Sequence, residues 1–306
     1  MMVDIPVEEG YVQLQDVKVW YRIVGCAETP GKVPLLCLHG GPGVPHDYLE
    51  PLEALAAGGR QVVFYDQLGC GNSDVPDDPS LWRMERFLEE IDAVRKALQL
   101  EDIHLLGQSW GGMLAMQYAL SQPRGLRSLV LASAPASSRQ WAAEAKRLRE
   151  ELPAETQETL SRHEEAGTTD DPSYVEAMMT FYRRHVCRLD PWPECLDRAL
   201  EKLMWNPVVY LTMWGDSEFH VTGNLKDWDV SGRLNEIVLP TLLTSGRYDE
   251  ATPAVMETIH QGIPGSKWVI FEQSAHEAHL EETERYLQVI DTFLEEVESR
   301  RMFEIR

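Results

Sequence analysis

An α/β architecture is expected for this chain: a mostly parallel eight-stranded sheet, helices on both of its faces, and a helical insertion. Three features point to it. Short apolar runs recur between helix-length segments, as buried parallel strands do. The runs stop within residues 137–234 and resume afterwards. In "DIHLLGQSWGGMLAMQYAL" a serine stands among glycines where a strand-like run passes directly into a helical pattern.

The elements follow in chain order. "YVQLQD" and "VKVWYRIV" alternate apolar and polar residues and read as an antiparallel pair at a sheet edge. "VPLLCLHG", "QVVFYDQ", "DIHLLGQS" and "LRSLVLASA" supply four strands buried on both faces. "FLEEIDAVRKALQL" lies between the second and third of these. Its apolar residues recur at helical spacing, so it is an amphipathic helix. Residues 137–234 read as helices broken at Pro153, Pro172, Pro191, Pro193 and Pro207, with no strand run. Five of the nine tryptophans fall there, which suits helices laid over an apolar surface better than a linker. "LPTLLTSG" and "KWVIFEQ" restore the strand signal, and "EETERYLQVIDTFLEEVES" closes the chain as a helix. The expected division is a core of residues 1–136 and 235–306 and a helical cap of residues 137–234.

Composition narrows the function. The chain has 306 residues, 43% of them hydrophobic, enough for a sizeable core. No apolar run approaches the roughly 20 residues that span a bilayer. The start carries no basic segment followed by an apolar one, so a cytoplasmic protein is expected. The formal charge of −22 argues against nucleic acid and anionic membranes as partners. Cys26, Cys37, Cys70, Cys187 and Cys195 are odd in number and form no C-x-x-C pair. Reduced thiols are expected, with no metal site.

"GQSWG", Gly107 to Gly111, has the G-x-S-x-G spacing of a nucleophile elbow, in the strand-to-helix setting that such an elbow requires. The flanking glycines allow close backbone approach, and the helix start aims free N–H groups at developing negative charge. A nucleophilic Ser109 needs a base, and the base needs an orienting acid, in the chain order Ser, Asp or Glu, His. "TLLTSGRYDEATP" places Asp249 just past a strand, with Glu250 as the alternative acid. "WVIFEQSAHEAHLEE" places His276 in the following loop, with His279 as the alternative base. Both loops lie at carboxyl ends of strands, where open α/β sheets gather ligands; Asp249 is favoured as the shorter side chain nearer the strand, and His276 because His279 sits closer to the final helix. The oxyanion needs two donors. These are expected to be the backbone N–H groups of Trp110 and of Gly41, in "LHGGPG". His39 reads as a residue that holds that loop. Asp66, in "YDQLGCGNSD", is a possible carboxylate nucleophile, but the residues after it read as turn chemistry.

Together, "HGGPG", "YDQLGCGNSD", "GQSWGGMLAMQYAL", "SGRYDEATP" and "SAHEAHLEETERY" resemble the proline iminopeptidase family of α/β-hydrolases. The resemblance runs through most of the chain, in the expected order. It implies an α/β-hydrolase fold and release of an N-terminal residue, often proline, from short peptides, with close relatives acting on amino-acid amides. It also implies glutamates that bind the free amino terminus. Glu250 matches the one that follows the triad acid, and Glu218, in "SEFHVTGNLKDWD", matches the one from the cap. Many members have asparagine before the cap glutamate, where this chain has Ser217. Carboxylates in a dry pocket favour a charged amine and reject a blocked one. Cap tryptophans and Phe219 are candidates for the pocket's apolar wall, and most of them are expected to be cap core. No cofactor is called for. The alternatives are an amidase, an esterase or another hydrolase with the same triad, and a non-catalytic binding protein on this fold.

Overall fold

A computed structural model describes residues 5–26 and 31–304. Residues 1–4, 27–30 and 305–306, assigned to the core above, lie outside the described residues. The chain opens with β1 (Val7–Leu14) and β2 (Val17–Val24), antiparallel partners with Leu14 opposite Val17. β3 (Leu35–Leu38) and β4 (Val62–Tyr65) are buried at every position, as continuous apolar runs demand. α1 (Met84–Ala97) buries Phe87, Ile91 and Val94, one stripe at helical spacing. β5 (Ile103–Gln108), α2 (Trp110–Ala119) and β6 (Leu126–Ala132) complete the first part of the core.

Five helices follow: α3 (Ser138–Glu150), α4 (Ala154–Ala166), α5 (Pro172–His185), α6 (Glu194–Trp205) and α7 (Val208–Met213). Prolines punctuate them. Pro153, Pro193 and Pro207 stand just before α4, α6 and α7, and Pro172 opens α5. Proline is tolerated at a helix start because the N–H it lacks would have no partner there. A short hairpin, β7 (Gly215–Ser217) and β8 (His220–Val221), follows α7. The sequence reading had no strand here. These ladders are too short to leave an alternating pattern. Asp47 accepts hydrogen bonds from Arg198 (2.7 Å) and Lys202 (2.8 Å), and these pairs tie α6 to the turn after β3.

A helical turn at Ser231–Glu236 straddles the division expected at residues 234 and 235. Leu234 in this turn packs closely on Gly262, where an added Cβ would stand 2.5 Å from it. β9 (Thr241–Gly246), α8 (Pro253–Gly262), β10 (Lys267–Phe271), α9 (Ala278–Glu281) and α10 (Thr283–Glu304) end the chain. The eight-stranded sheet runs β1-β2-β4-β3-β5-β6-β9-β10. β2 is antiparallel to both β1 and β4, and the other pairs are parallel. The chain reverses direction across the sheet between β3 and β5. The carboxyl ends of strands at such a switch form a crevice. α10 is anchored beneath the sheet. There Glu298 accepts hydrogen bonds from Arg60 (2.6 Å) and from the Val33 N–H (2.8 Å). No described helix is long and apolar enough to cross a membrane.

Candidate active site

The bend between β5 and α2 is dictated by contacts that exclude side chains. A Cβ at Gly107 would stand 2.1 Å from the Gly111 carbonyl oxygen, and one at Gly111 would stand 2.1 Å from that of Leu38. Ser109, at the apex, has φ 54° and ψ −120°. A non-glycine residue held there costs about 1–3 kcal/mol, and such strain concentrates at functional sites. The strand ladder holds the apex in place, since Ser109 N–H donates to the Ala132 carbonyl at 2.8 Å. The side chain opens onto a cavity that Gly41, Tyr48, Tyr182, Glu218, Glu250, His276 and Glu277 also line.

Asp249 and His276 arrive from the loops after β9 and β10. His276 Nδ1 lies 2.8 Å from Asp249 Oδ1. The Ala251 N–H donates to the same oxygen at 2.7 Å, which fixes the carboxylate. Burial alone would lower the His276 pKa, but Asp249, Glu250 and Glu277 outweigh it and push it up to about 10. His276 Nε2, the nitrogen that Asp249 does not use, lies 3.8 Å from Glu250 Oε1. His279 is placed elsewhere. Its Nε2 meets the Tyr48 carbonyl at 2.9 Å, and burial lowers its pKa to about 4. Asp66 is fully engaged as well. His46 and Asn72 hydrogen-bond to its two carboxylate oxygens, at 2.7 Å and 2.8 Å, as a brace for the loop.

Gly41 has φ 103°, and a Cβ there would stand 2.7 Å from the Gly43 and Val44 nitrogens. Only glycine fits this turn, which brings the loop to the cavity edge. His39 holds the loop. Its Nε2 accepts from the Gln67 N–H at 2.9 Å, and burial lowers its pKa to about 4. Gly40 N–H donates to Tyr48 Oη (2.7 Å), which donates to Gln108 Oε1 (2.6 Å). Trp110 is the first residue of α2, so its N–H belongs to the helix start.

Glu250 is wholly buried, and neither carboxylate oxygen has a hydrogen-bond partner among the described residues. Burial first, then the charge of Glu218, holds its pKa well above the usual carboxylate range. Glu218 sits in the β7–β8 hairpin. Its Oε1 accepts from Tyr210 Oη at 2.8 Å, its N–H donates to Tyr182 Oη at 3.2 Å, and its carbonyl accepts from Trp141 Nε1 at 2.7 Å. Burial raises its pKa too. His276 is the cation beside these carboxyls, and the free Glu250 oxygens suit a ligand that brings a further positive charge.

The sequence reading missed two features. The first is Glu277, buried in the same cavity. Burial pushes its pKa up to about 8. Its one signal is adjacency to His276. The second is a backbone clamp with no side-chain signal. The His185 carbonyl accepts from the N–H groups of Glu250 and His276, each at 3.2 Å, and the Val186 carbonyl accepts from Glu277 N–H at 3.1 Å. The aromatic candidates divide between cap core and pocket. Phe219 is cap core, packing on Phe181 (4.8 Å) and under Arg149. Tyr182 lines the cavity, and Trp141 meets His276 edge-on at 5.8 Å.

The α/β-hydrolase fold family matches residues 33–283. The proline iminopeptidase of Heyndrickxia coagulans is 43% identical over 289 residues, 94% of this chain and 99% of that protein. The crystal structure of VinJ superposes with a TM-score of 0.92 at 43% identity, covering 95% of this chain and 99% of that one. The proline iminopeptidase of Mycobacterium smegmatis superposes with a TM-score of 0.89 at 41% identity, covering 96% and 100%. A fold shared from end to end, at this level of identity, settles the kinship: the chain belongs to the proline iminopeptidase family of α/β-hydrolases.

Proposed function

We propose that this protein is a serine aminopeptidase that releases an N-terminal residue, proline among them, from short peptides or amides. One observation carries the reading: the half-buried Glu218 and the buried Glu250 line one cavity with Ser109 and with His276, the partner of Asp249. Such carboxyls recognise an ammonium group and serve no purpose for an uncharged substrate. Residues 137–234 act as the cap that carries Glu218, over a core of 1–136 and 235–306. The setting is cytoplasmic, in keeping with five free cysteines.

The substrate ammonium lies between Glu218 and Glu250, which brings the adjoining carbonyl to Ser109. Ser109 Oγ attacks the carbonyl carbon while His276 Nε2 takes its proton, and Asp249 holds the imidazole through Nδ1–H. The N–H groups of Gly41 and Trp110 receive the oxyanion. The intermediate collapses, the C–N bond breaks, and His276 gives its proton to the leaving amine. A water activated by His276 then attacks the acyl-enzyme. Breaking the ester frees the amino acid and returns the proton to Ser109.

The test is a panel of aminoacyl aryl amides, free and N-acetylated, with wild type and Ser109→Ala. Free substrates are expected to turn over, N-acetylated ones to fail, and Ser109→Ala to lose nearly all activity while keeping its circular dichroism. Equal turnover of free and acetylated substrates refutes the amine reading, and wild-type turnover by Ser109→Ala refutes the triad.

A further inference from the structure

Glu277 is a third acid in a very small space. The cavity that it lines with Glu218, Glu250, Ser109 and His276 measures about 40 Å³, room for a few water molecules. Glu277 is 5% exposed, and its Oε2 has no hydrogen-bond partner among the described residues. His279 Nδ1 is 3.7 Å away, too far for a hydrogen bond. Burial keeps that imidazole neutral and outweighs the hydrogen bond to the Tyr48 carbonyl, which favours the charged form. The charge of His276 favours the ionised Glu277, but no hydrogen bond within the described residues satisfies its Oε2. The Val186 carbonyl fixes its backbone, so the side chain is held at the cavity wall.

Two glutamates are enough for the ammonium of proline, which has two N–H donors. A primary ammonium has three. We infer that Glu277 is a specificity-determining residue that takes the third N–H of a primary ammonium, so that a primary amine gains a contact that a secondary amine with the same side chain lacks. The inference rests on the aminopeptidase reading and refines its substrate class. With a secondary amine bound, the Glu277 carboxyl stays buried and unpaired. With a primary amine bound, it gains a charge-assisted hydrogen bond. A protonated Glu277 gives up its proton as the cation arrives, which suits its raised pKa.

The probes are three aryl amides: alanyl, N-methylalanyl and prolyl. The first two share a side chain and differ in one N–H. Wild type is expected to favour alanyl over N-methylalanyl in kcat/KM. In Glu277→Ala that ratio should fall about tenfold, the worth of one hydrogen bond to a charged group. Glu277→Gln, which keeps the shape and one acceptor oxygen, should fall between. A purely structural role lowers all three substrates together and leaves the ratio unchanged; that result overturns the proposal. A ratio near one in wild type overturns it too, without touching the aminopeptidase reading. N-acetylalanyl amide separates the cases, because its turnover at the rate of the free amine refutes both. Melting curves of the two variants show whether a rate loss comes from unfolding.

Discussion

Replacing Glu250 by glutamine should move the acid limb of the pH–rate profile to lower pH. His276 works as a base only when neutral, and carboxylates around it hold the imidazolium. Glu250 Oε1 is 3.8 Å from His276 Nε2. At an effective dielectric constant of about 20, full unit charges at that distance attract by about 4 kcal/mol, or about three pH units. Glu250 is only partly ionised, because burial and Glu218 hold its own pKa well above the usual range. The expected fall is therefore smaller, about one pH unit or more. The sign is fixed: a carboxylate favours the charged imidazole and raises its pKa, so losing the carboxylate lowers it. The assay is kcat/KM for an uncharged aryl ester, from about pH 5 to pH 10, so that amine binding does not enter. Wild type should rise above the ordinary histidine value of 6.5, since the His276 pKa stands at about 10. The limb belongs to the coupled pair, so the shift carries more weight than either midpoint. A limb that stays in place, or moves up, refutes the counter-ion role of Glu250.

Two further perturbations test the scaffold. Gly111→Ala places a Cβ 2.1 Å from the Leu38 carbonyl oxygen. It should cost about 3 kcal/mol and lower activity with it, because the bend that carries Ser109 must shift; an unchanged melting temperature contradicts the close contact. Glu298→Gln weakens a buried pair with Arg60 and should cost up to about 3–5 kcal/mol at neutral pH. Burial opposes ionisation of Glu298, but the nearby His104 ring and hydrogen bonds from Arg60 and the Val33 N–H outweigh it and bring its pKa down to about 2. Its stabilisation is thus fully present above the unfolded value of about 4.3 and is lost as pH falls towards 2. Urea unfolding should show the gap between wild type and variant narrowing as pH drops; a constant gap refutes the linkage.

The sheet was legible because parallel strands buried on both faces leave unbroken apolar runs, and β3, β4 and β5 are buried throughout. The serine bend was legible because its steric demands admit only glycine at Gly107 and Gly111, and that leaves a spaced motif. The cap was less readable. Its tryptophans suggested an apolar floor, and Trp141 and Trp214 do pack edge to face at 5.6 Å. Trp205, however, is 94% exposed, and nothing in its local sequence distinguishes it from the others. Composition reports how much apolar surface a segment carries, and only the fold decides where that surface points.

The same limit explains why Glu277 went unread. A recognition pocket depends on where side chains converge, and here the convergence is set by main-chain bonds. The His185 and Val186 carbonyls, at the end of α5 in the cap, hold the N–H groups of Glu250, His276 and Glu277. Any residue type could supply those carbonyls, so residues 185–186 carry no motif. They nonetheless join the cap to both loops that bear the acids and the base. Each acid is desolvated by burial, which no linear pattern encodes. A segment that fixes three functional backbones through carbonyls alone is free to vary in side chain. What it cannot tolerate is a change of path, so an insertion there should disturb amine selectivity and the His276 pKa together.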